Sequence, residues 1–379
     1  MKKLVYVTNI PTPYRIPRFN ELAAQLRKQG WHFEVLFTSD IEPNRSWVID
    51  YDSIKFDYKI YWGLRPTLFG MFAHFNPGLL ARLARDDYDI VVIGGYGNPT
   101  LMFAPFFCTK RALKIISIES NLDSVKRTSG FAARLKELIL KKADAFQVTG
   151  HRQKEYIKYF IGGHDKNFVV LPNLINECNF HRVAASAKSR LRAEYAFGLN
   201  DKIWLLPARL SPEKGILQFL EAFKSVENVK LLICGDGPLK LEIQDYVSKE
   251  NIDVKLIGFV QESAMADYYN MADVFVLPSI SDPSPLSPIE ALRSGLPLLI
   301  SNRVGNLDEV YSINNGFVFD ILDANSVLNA VSCMAKALPN QLDDMGDCSE
   351  VIYSQRFDTK KVISEYLISI DDAYFKFKG

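Results

Sequence analysis

Short apolar runs alternate with longer stretches of helical spacing along most of the chain, in two successive series. That pattern permits few folds. A brief continuous apolar run reads as a strand buried on both faces, and an intervening helix returns the chain parallel to it. In the first series the expected strands are residues 4–8, 33–37, 90–93, 114–118, 145–149 and 168–171. A helix is expected over 17–29, opening on Pro17 and stopping at Gly30, and another over 130–143. The second series gives strands at 203–207, 229–234, 254–257, 274–277 and 298–301. Two such series predict an α/β protein of two Rossmann-like, doubly wound domains facing a cleft. They would span residues 1–175 and 200–356, with a linker over 176–199 and a last helical segment over 357–379. Ligands of such sheets bind beyond the carboxyl ends of the strands. In the last segment Val362, Tyr366, Ile370 and Tyr374 recur every four residues, giving it one face to bury.

Several function classes are disfavoured. No apolar run approaches the roughly 20 residues of a membrane span. The stretch after Lys2 and Lys3 is too short for a signal peptide and reads as the first buried strand of a cytoplasmic protein. The five cysteines are scattered, odd in number and without ligand spacing, which points to free thiols. The histidines form no metal pattern. Charge is uneven beneath a net +1: residues 1–172 hold 25 Lys and Arg against 16 Asp and Glu, and the remainder holds 20 against 28. A basic half favours an anionic partner, such as a membrane surface or a phosphate-bearing acceptor. The alternative is two solvated surfaces with no partner.

Chemistry concentrates at the strand ends of the second series. Arg209 and Lys214 flank Ser211-Pro212-Glu213, which reads as a helix start. A helix N-terminus with two cations beside it suits a diphosphate without a metal. Gly235-Asp236-Gly237-Pro238 allows a tight turn and close backbone approach. Gly258-Phe259-Val260 offers backbone groups to a nucleobase. Asp282 and Glu290 lie eight residues apart across a strand-to-helix turn, placed for a sugar hydroxyl and a ribose diol. Each piece alone fits a plain loop. Their order is what carries weight.

In that order the pieces resemble the retaining glycosyltransferases of family 4, whose fold is GT-B. The family's Glu-x7-Glu motif corresponds to Asp282 and Glu290, its "G-R-L-x-x-x-K-G" loop to Ala208–Gly215 and its "G-x-G-P" turn to Gly235–Pro238. The resemblance covers residues 200–320 and continues more weakly through Ile10-Pro11-Thr12-Pro13-Tyr14-Arg15. It implies that Arg209 and Lys214 hold a donor diphosphate and that Glu290 binds the ribose. It further implies that Asp282 sits beside the transferred sugar, as nucleophile or orienting group. Gly235, Gly237, Gly258, Phe259, Val260, Ser284, Leu286 and Ser287 would complete the donor site. The last helix would cross back onto the first domain. No metal or other cofactor is implied beyond the nucleotide sugar itself.

Two departures stand out. Asp282 reaches ~1.5 Å less far than the family's Glu. Pro283 and Pro285 replace residues whose N–H groups bind the donor sugar in the family.

Acceptor sites in this fold lie on the first domain. Tyr14 and Arg15, Tyr96 and Asn98, and Glu119 stand at three of its strand ends. Glu119 is the expected group to orient or deprotonate an acceptor hydroxyl, or else a loop cap. Aromatic residues Trp62, Phe69, Phe72 and Phe75 would line a lipid groove, rest on a membrane or form core. Lys126, Arg127, Arg134, Lys136, Lys141 and Lys142 fit anionic headgroups or a wet helix face. The expected function is transfer of a sugar, with retention, to a glycan or polyprenol-linked acceptor in cell-surface polysaccharide biosynthesis. Peripheral contact with the inner face of the plasma membrane is expected, and nucleic acid is not. The alternative is a non-catalytic nucleotide-sugar-binding partner of a biosynthetic complex.

Overall fold

Most of the uninterrupted apolar runs form strands covered on both faces, while those at 168–171 and 254–257 are only partly covered. The computed structural model describes residues 1–41, 48–64, 67–68, 71–72, 74–124, 129–162 and 166–379, with backbone alone for 67–68 and 71–72. The chain forms two compact units, Met1–Ile175 with Thr359–Gly379, and Asn176–Asp358.

In chain order the first unit contains β1 Lys3–Thr8, α1 Arg15–Lys28, β2 His32–Phe37, β3 Asp57–Ile60, β4 Thr67–Leu68, β5 Met71–Phe72, α2 Pro77–Arg85 and β6 Ile90–Ile93. It continues with α3 Pro99–Phe107, β7 Leu113–Ile118, α4 Gly130–Lys141, β8 Ala145–Val148, α5 His151–Ile161 and β9 Asn167–Val170. Seven parallel strands take the order β3-β2-β1-β6-β7-β8-β9. β4 and β5 form a separate antiparallel pair. The edge strand β3 escaped the sequence reading because it is largely exposed and has no apolar run. α1 begins two residues before Pro17, which sits in the first turn, where its missing N–H is no loss.

The second unit contains α6 Ala185–Glu194, β10 Lys202–Pro207, α7 Ile216–Phe223, β11 Val229–Cys234, α8 Lys240–Glu250, β12 Val254–Gly258, α9 Glu262–Met271 and β13 Val274–Leu277. Then come α10 Ser287–Arg293, β14 Leu298–Ser301, α11 Leu307–Val310, β15 Gly316–Phe319, α12 Ala324–Lys336 and α13 Pro339–Arg356. Its six parallel strands run β12-β11-β10-β13-β14-β15.

Residues 176–199, expected as a linker, are part of this unit. Within α6, Arg192 is buried and donates to both carboxylate oxygens of Asp273 at 2.8 Å and to the Met271 carbonyl. Lys188 adds a second cation on Asp273 at 2.8 Å. A polar composition made this stretch look like a spacer; two of its charges, Lys188 and Arg192, are spent inward.

The last helix, α14 Thr359–Lys378, belongs to the first unit. Val362, Tyr366, Ile370 and Tyr374 are all buried, as their spacing requires, and they share a core with α1, β1 and β2. Full burial of Ile363, Tyr366, Leu367 and Ile370 contributes on the order of 10 kcal/mol before ordering entropy is subtracted. The Tyr366 hydroxyl donates to Gln147 Oε1 at 2.6 Å, and Gln147 Nε2 donates to Ser117 Oγ at 2.8 Å and to Tyr6 Oη at 3.1 Å. Among the described residues no helix is long and apolar enough to cross a membrane.

Candidate functional site

In the second unit, β11 and β12 lie on one side of β10, and β13, β14 and β15 lie on the other. The order in which strands are added across the sheet therefore reverses between β10 and β13, the position where open sheets of this kind leave a crevice. The loops that follow β10 and β13 meet there. Lys214 Nζ touches Asp282 Oδ2, and both side chains are mostly buried. Ile280 and Ser281 N–H groups donate to the Glu213 carbonyl at 2.9 and 3.2 Å, which fastens the two loops together.

The helix after β10 does not start at Ser211. Residues Pro212–Lys214 make one tight turn, Gly215 takes φ +63°, and α7 begins at Ile216. A Cβ on Gly215 would lie 2.2 Å from the Pro278 carbonyl oxygen, so only glycine lets the β10 and β13 loops close on each other. Glu213 accepts from Ser211 Oγ at 2.5 Å. Its burial favours the neutral acid, but that hydrogen bond and the charges of Lys214 and Arg209 hold its carboxyl below the usual range. Arg209 is exposed beside it.

The turn after β11 shows a different use of glycine from the one its sequence suggested. A Cβ on Gly235 would lie 1.9 Å from the Ala208 carbonyl oxygen, and one on Gly237 would lie 2.4 Å from that of Leu210. The close approach is to the neighbouring loop. Leu210 N donates to Asp236 O, and Leu239 N donates to Leu210 O, each at 3.0 Å. Gly235 N donates to Gly258 O at 2.7 Å, where the β11–β12 register shifts. Gly258 has φ +87°, Phe259 is exposed and Val260 is half-buried.

Beyond β13 the chain is short of free backbone groups. The Asp282 carbonyl accepts from Gly305 N at 2.8 Å, and the Pro285 carbonyl accepts from Asn306 Nδ2 at 2.9 Å. Ser284, Leu286 and Ser287 are half-buried around the start of α10. One turn on, Glu290 Oε2 accepts from the Tyr269 hydroxyl at 2.6 Å. Desolvation pushes the Glu290 carboxyl up to about 7; the tyrosine hydrogen bond opposes this and the Glu262 charge adds to it. Glu262 is itself raised, by burial first, while Asn179 donates to it at 3.0 Å. Tyr269 also packs edge-on against Phe180, their ring centres 5.4 Å apart. Sequence reasoning missed Tyr269, Glu262 and Asn179. Asn179 lies in the segment taken for a linker, and Glu262 and Tyr269 lie on α9, to which the sequence reading assigned no role.

The first unit has a cavity of about 360 Å³ at the carboxyl ends of β1, β6 and β7. Arg15, Tyr96, Asn98 and Glu119 line it, as does His74, which the sequence did not single out. Arg15 donates to Thr8 Oγ1 at 3.0 Å and Asn9 Oδ1 at 2.6 Å, and it pairs with Glu119 at 3.6 Å. Asn98 Oδ1 accepts from Leu101 N at 3.0 Å and so caps α3. Burial and the adjoining Tyr156 hydroxyl raise the Tyr96 phenol well above its ordinary value. Tyr14 is not among the lining residues. It takes helical angles as the N-cap of α1, with its ring 5.5 Å from the Arg15 guanidinium carbon.

Trp62 is exposed and Phe75 packs on the core, whereas Phe69 and the Phe72 side chain, like Lys126 and Arg127, lie outside the described residues. Among the described residues, no group of three or more His, Cys, Asp or Glu side chains forms a metal-binding cluster.

Residues 187–343 match the family described as "Glycosyl transferases group 1". The alpha-monoglucosyldiacylglycerol synthase of Acholeplasma laidlawii is 30% identical over 156 residues, 39% of this chain and 39% of that protein. The UDP-Gal:alpha-D-GlcNAc-diphosphoundecaprenol alpha-1,3-galactosyltransferase of Escherichia coli is 32% identical over 139 residues, 35% of this chain and 36% of that protein. The matched stretches thus span less than half the length of these relatives. Among solved structures, Anabaena HepE in complex with UDP superposes with a TM-score of 0.77 at 16% identity, covering 98% of this chain and all of that one. Sucrose-phosphate synthase from Thermosynechococcus elongatus gives 0.74 at 18% identity, over 99% of this chain. At these identities the likeness shows the fold, which is GT-B.

Proposed function

We propose that this chain, whose residues 187–343 match the glycosyl transferases group 1 family, moves a sugar from a nucleoside diphosphate sugar to a glycan or lipid-linked glycan. The observation that carries this reading is the meeting of Lys214 and Asp282 at the reversal of the second sheet, with Arg209 beside them. Two cations there suit the donor diphosphate and stabilise the charge that develops on it as the anomeric carbon–oxygen bond breaks. No metal or cofactor is called for in this scheme. Glu290 takes the ribose diol, and with a carboxyl near 7 it both accepts and donates hydrogen bonds at neutral pH. Backbone groups of Gly258, Phe259 and Val260 face the base. Asp282 orients the transferred sugar, and the new bond forms on the face the nucleotide leaves, with retention.

The cavity of the first unit takes the acceptor, and Glu119 receives or orients its hydroxyl proton. The names of the two relatives, one a diacylglycerol glycolipid synthase and one acting on a diphosphoundecaprenol substrate, support an acceptor carrying lipid. HepE in complex with UDP supports a uridine donor. A role in cell-surface polysaccharide biosynthesis at the membrane fits both. A second reading, a nucleotide-sugar-binding partner without turnover, is favoured by the prolines and the tied carbonyls around Asp282.

The test is a thermal-shift and turnover screen across UDP- and GDP-sugars. Binding raises the melting temperature in proportion to the logarithm of ligand over Kd. Arg209→Ala is expected to lose most of that shift and about 100-fold in turnover. Binding with no turnover on any lipid or glycan acceptor supports the second reading. An unchanged shift in Arg209→Ala refutes the diphosphate assignment.

A further inference from the structure

On the first unit, α3 and α4 leave apolar side chains facing outward. Phe103, Phe106 and Phe107 are 49%, 42% and 43% exposed. They follow the i, i+3, i+4 spacing of a single helix face. On α4, Phe131 is 83% exposed and Leu138 is 51% exposed, while Arg134 and Lys142 continue the same face. The two helices are joined at the surface: Lys142 Nζ sits 5.5 Å from the centre of the Phe106 ring. Aromatic side chains in this number normally go into a core, and α3 already buries Leu101, Ala104 and Pro105 on its inner face.

The charge of these two helices and their C-terminal ends is mostly of one sign. Segments 99–111 and 130–142 hold six cations, Lys110, Arg111, Arg134, Lys136, Lys141 and Lys142. They hold one carboxylate, Glu137, and it is paired with Lys141. A second copy of the chain is a poor occupant, because a two-fold interface would set the same cations against each other. An anionic bilayer is a good one. Phenyl rings enter the acyl boundary, and the lysine and arginine heads meet the phosphates.

We propose that the α3–α4 face docks the protein on a membrane containing anionic phospholipid. The position of α3 gives this a purpose. Its first turn, at Asn98 and Leu101, lines the cavity, while its outer face carries the phenylalanines. One nine-residue helix, about 13 Å long, therefore joins the cavity to the docking face. A lipid-linked acceptor would reach the cavity from the bilayer along it. Only this last step rests on the proposed transferase activity; docking itself does not.

The test is co-sedimentation of the whole protein, without donor, with vesicles of phosphatidylcholine alone or mixed equally with phosphatidylglycerol. The protein is expected to pellet with the anionic vesicles and to be released by salt. Phe103→Ser/Phe106→Ser/Phe107→Ser is expected to weaken binding at least about 10-fold. Arg134→Glu/Lys142→Glu, which changes only exposed side chains, is expected to cost about 5-fold or more per residue. Near-UV circular dichroism checks that both variants remain folded, and the charge variant carries the test if the other does not. Three results would overturn the proposal: no pelleting with anionic vesicles, equal pelleting by the folded variants, or concentration-dependent dimerisation without vesicle binding.

Discussion

The two units share a sheet plan but hold their strand-end charges in place by different means. In the second unit the loops close on one another through backbone. Gly215, Gly235 and Gly237 each stand where a Cβ would strike a carbonyl oxygen of a neighbouring loop. In the first unit side chains carry more of the work: a Cβ on Gly94 would also crowd Thr8 Oγ1 at 2.9 Å, but Arg15 is fixed by Thr8, Asn9 and Glu119, and the floor of the cavity is fixed by Gln147 through Tyr6 and Ser117. Backbone closure leaves a fixed local sequence, since glycine has no substitute there. Side-chain closure can be achieved by many residue combinations. That is why the second unit's candidate site carries local motifs and the first unit's does not.

The comparison can be broken most severely at Gly235. Gly235→Val places carbon on the Ala208 carbonyl and is expected to destabilise the second unit by about 4 kcal/mol or more, read by denaturant unfolding. Gly258→Ala, with a positive φ but open space around it, should cost only about 1 kcal/mol. Equal losses would show that loop closure is not what the glycines provide.

A smaller effect is expected from Glu290, and it has a pH signature. Its folded carboxyl titrates near 7, above the ordinary 4.5. Between those values the folded state holds a proton that the unfolded chain has released, so stability falls as pH rises through this window and levels off above it. The loss is on the order of 3 kcal/mol at most. Glu290→Gln keeps an acceptor for Tyr269 and should flatten that part of the curve, measured as unfolding free energy from pH 4 to 8. A wild-type curve that rises across the window would mean the carboxylate is stabilised in the fold.

In the first unit, Tyr366→Phe removes the donor to Gln147 Oε1 and leaves a buried oxygen poorly satisfied, at an expected cost of about 2 kcal/mol. Because this network reaches the cavity floor, acceptor KM should rise more than donor KM. Asn98→Ala should have the smallest effect, about 1 kcal/mol for a lost helix cap. If it instead abolished acceptor use with stability unchanged, Asn98 would be a ligand contact as well as a cap.

Each failure of the sequence reading has a physical cause. Residues 176–199 looked like a spacer because polar composition does not reveal where charges point, and Arg192 and Lys188 turned out to be spent on Asp273. β3 was missed because an exposed edge strand has no apolar signature. Tyr14 was grouped with Arg15 by adjacency, yet consecutive residues on a helix project about 100° apart, and only Arg15 lines the cavity.

By itself the sequence determined the α/β class, the two series of parallel strands, the buried stripe of the last helix and the order of charged groups along the second unit. These follow from periodicity and from residues with no conformational substitute. Only the tertiary structure decided that Lys214 meets Asp282, that Tyr269 and Glu262 surround Glu290, and that three phenylalanines of α3 remain outside. Such facts depend on contacts between segments far apart in the chain, and local chemistry does not encode which of many polar or apolar partners will be close.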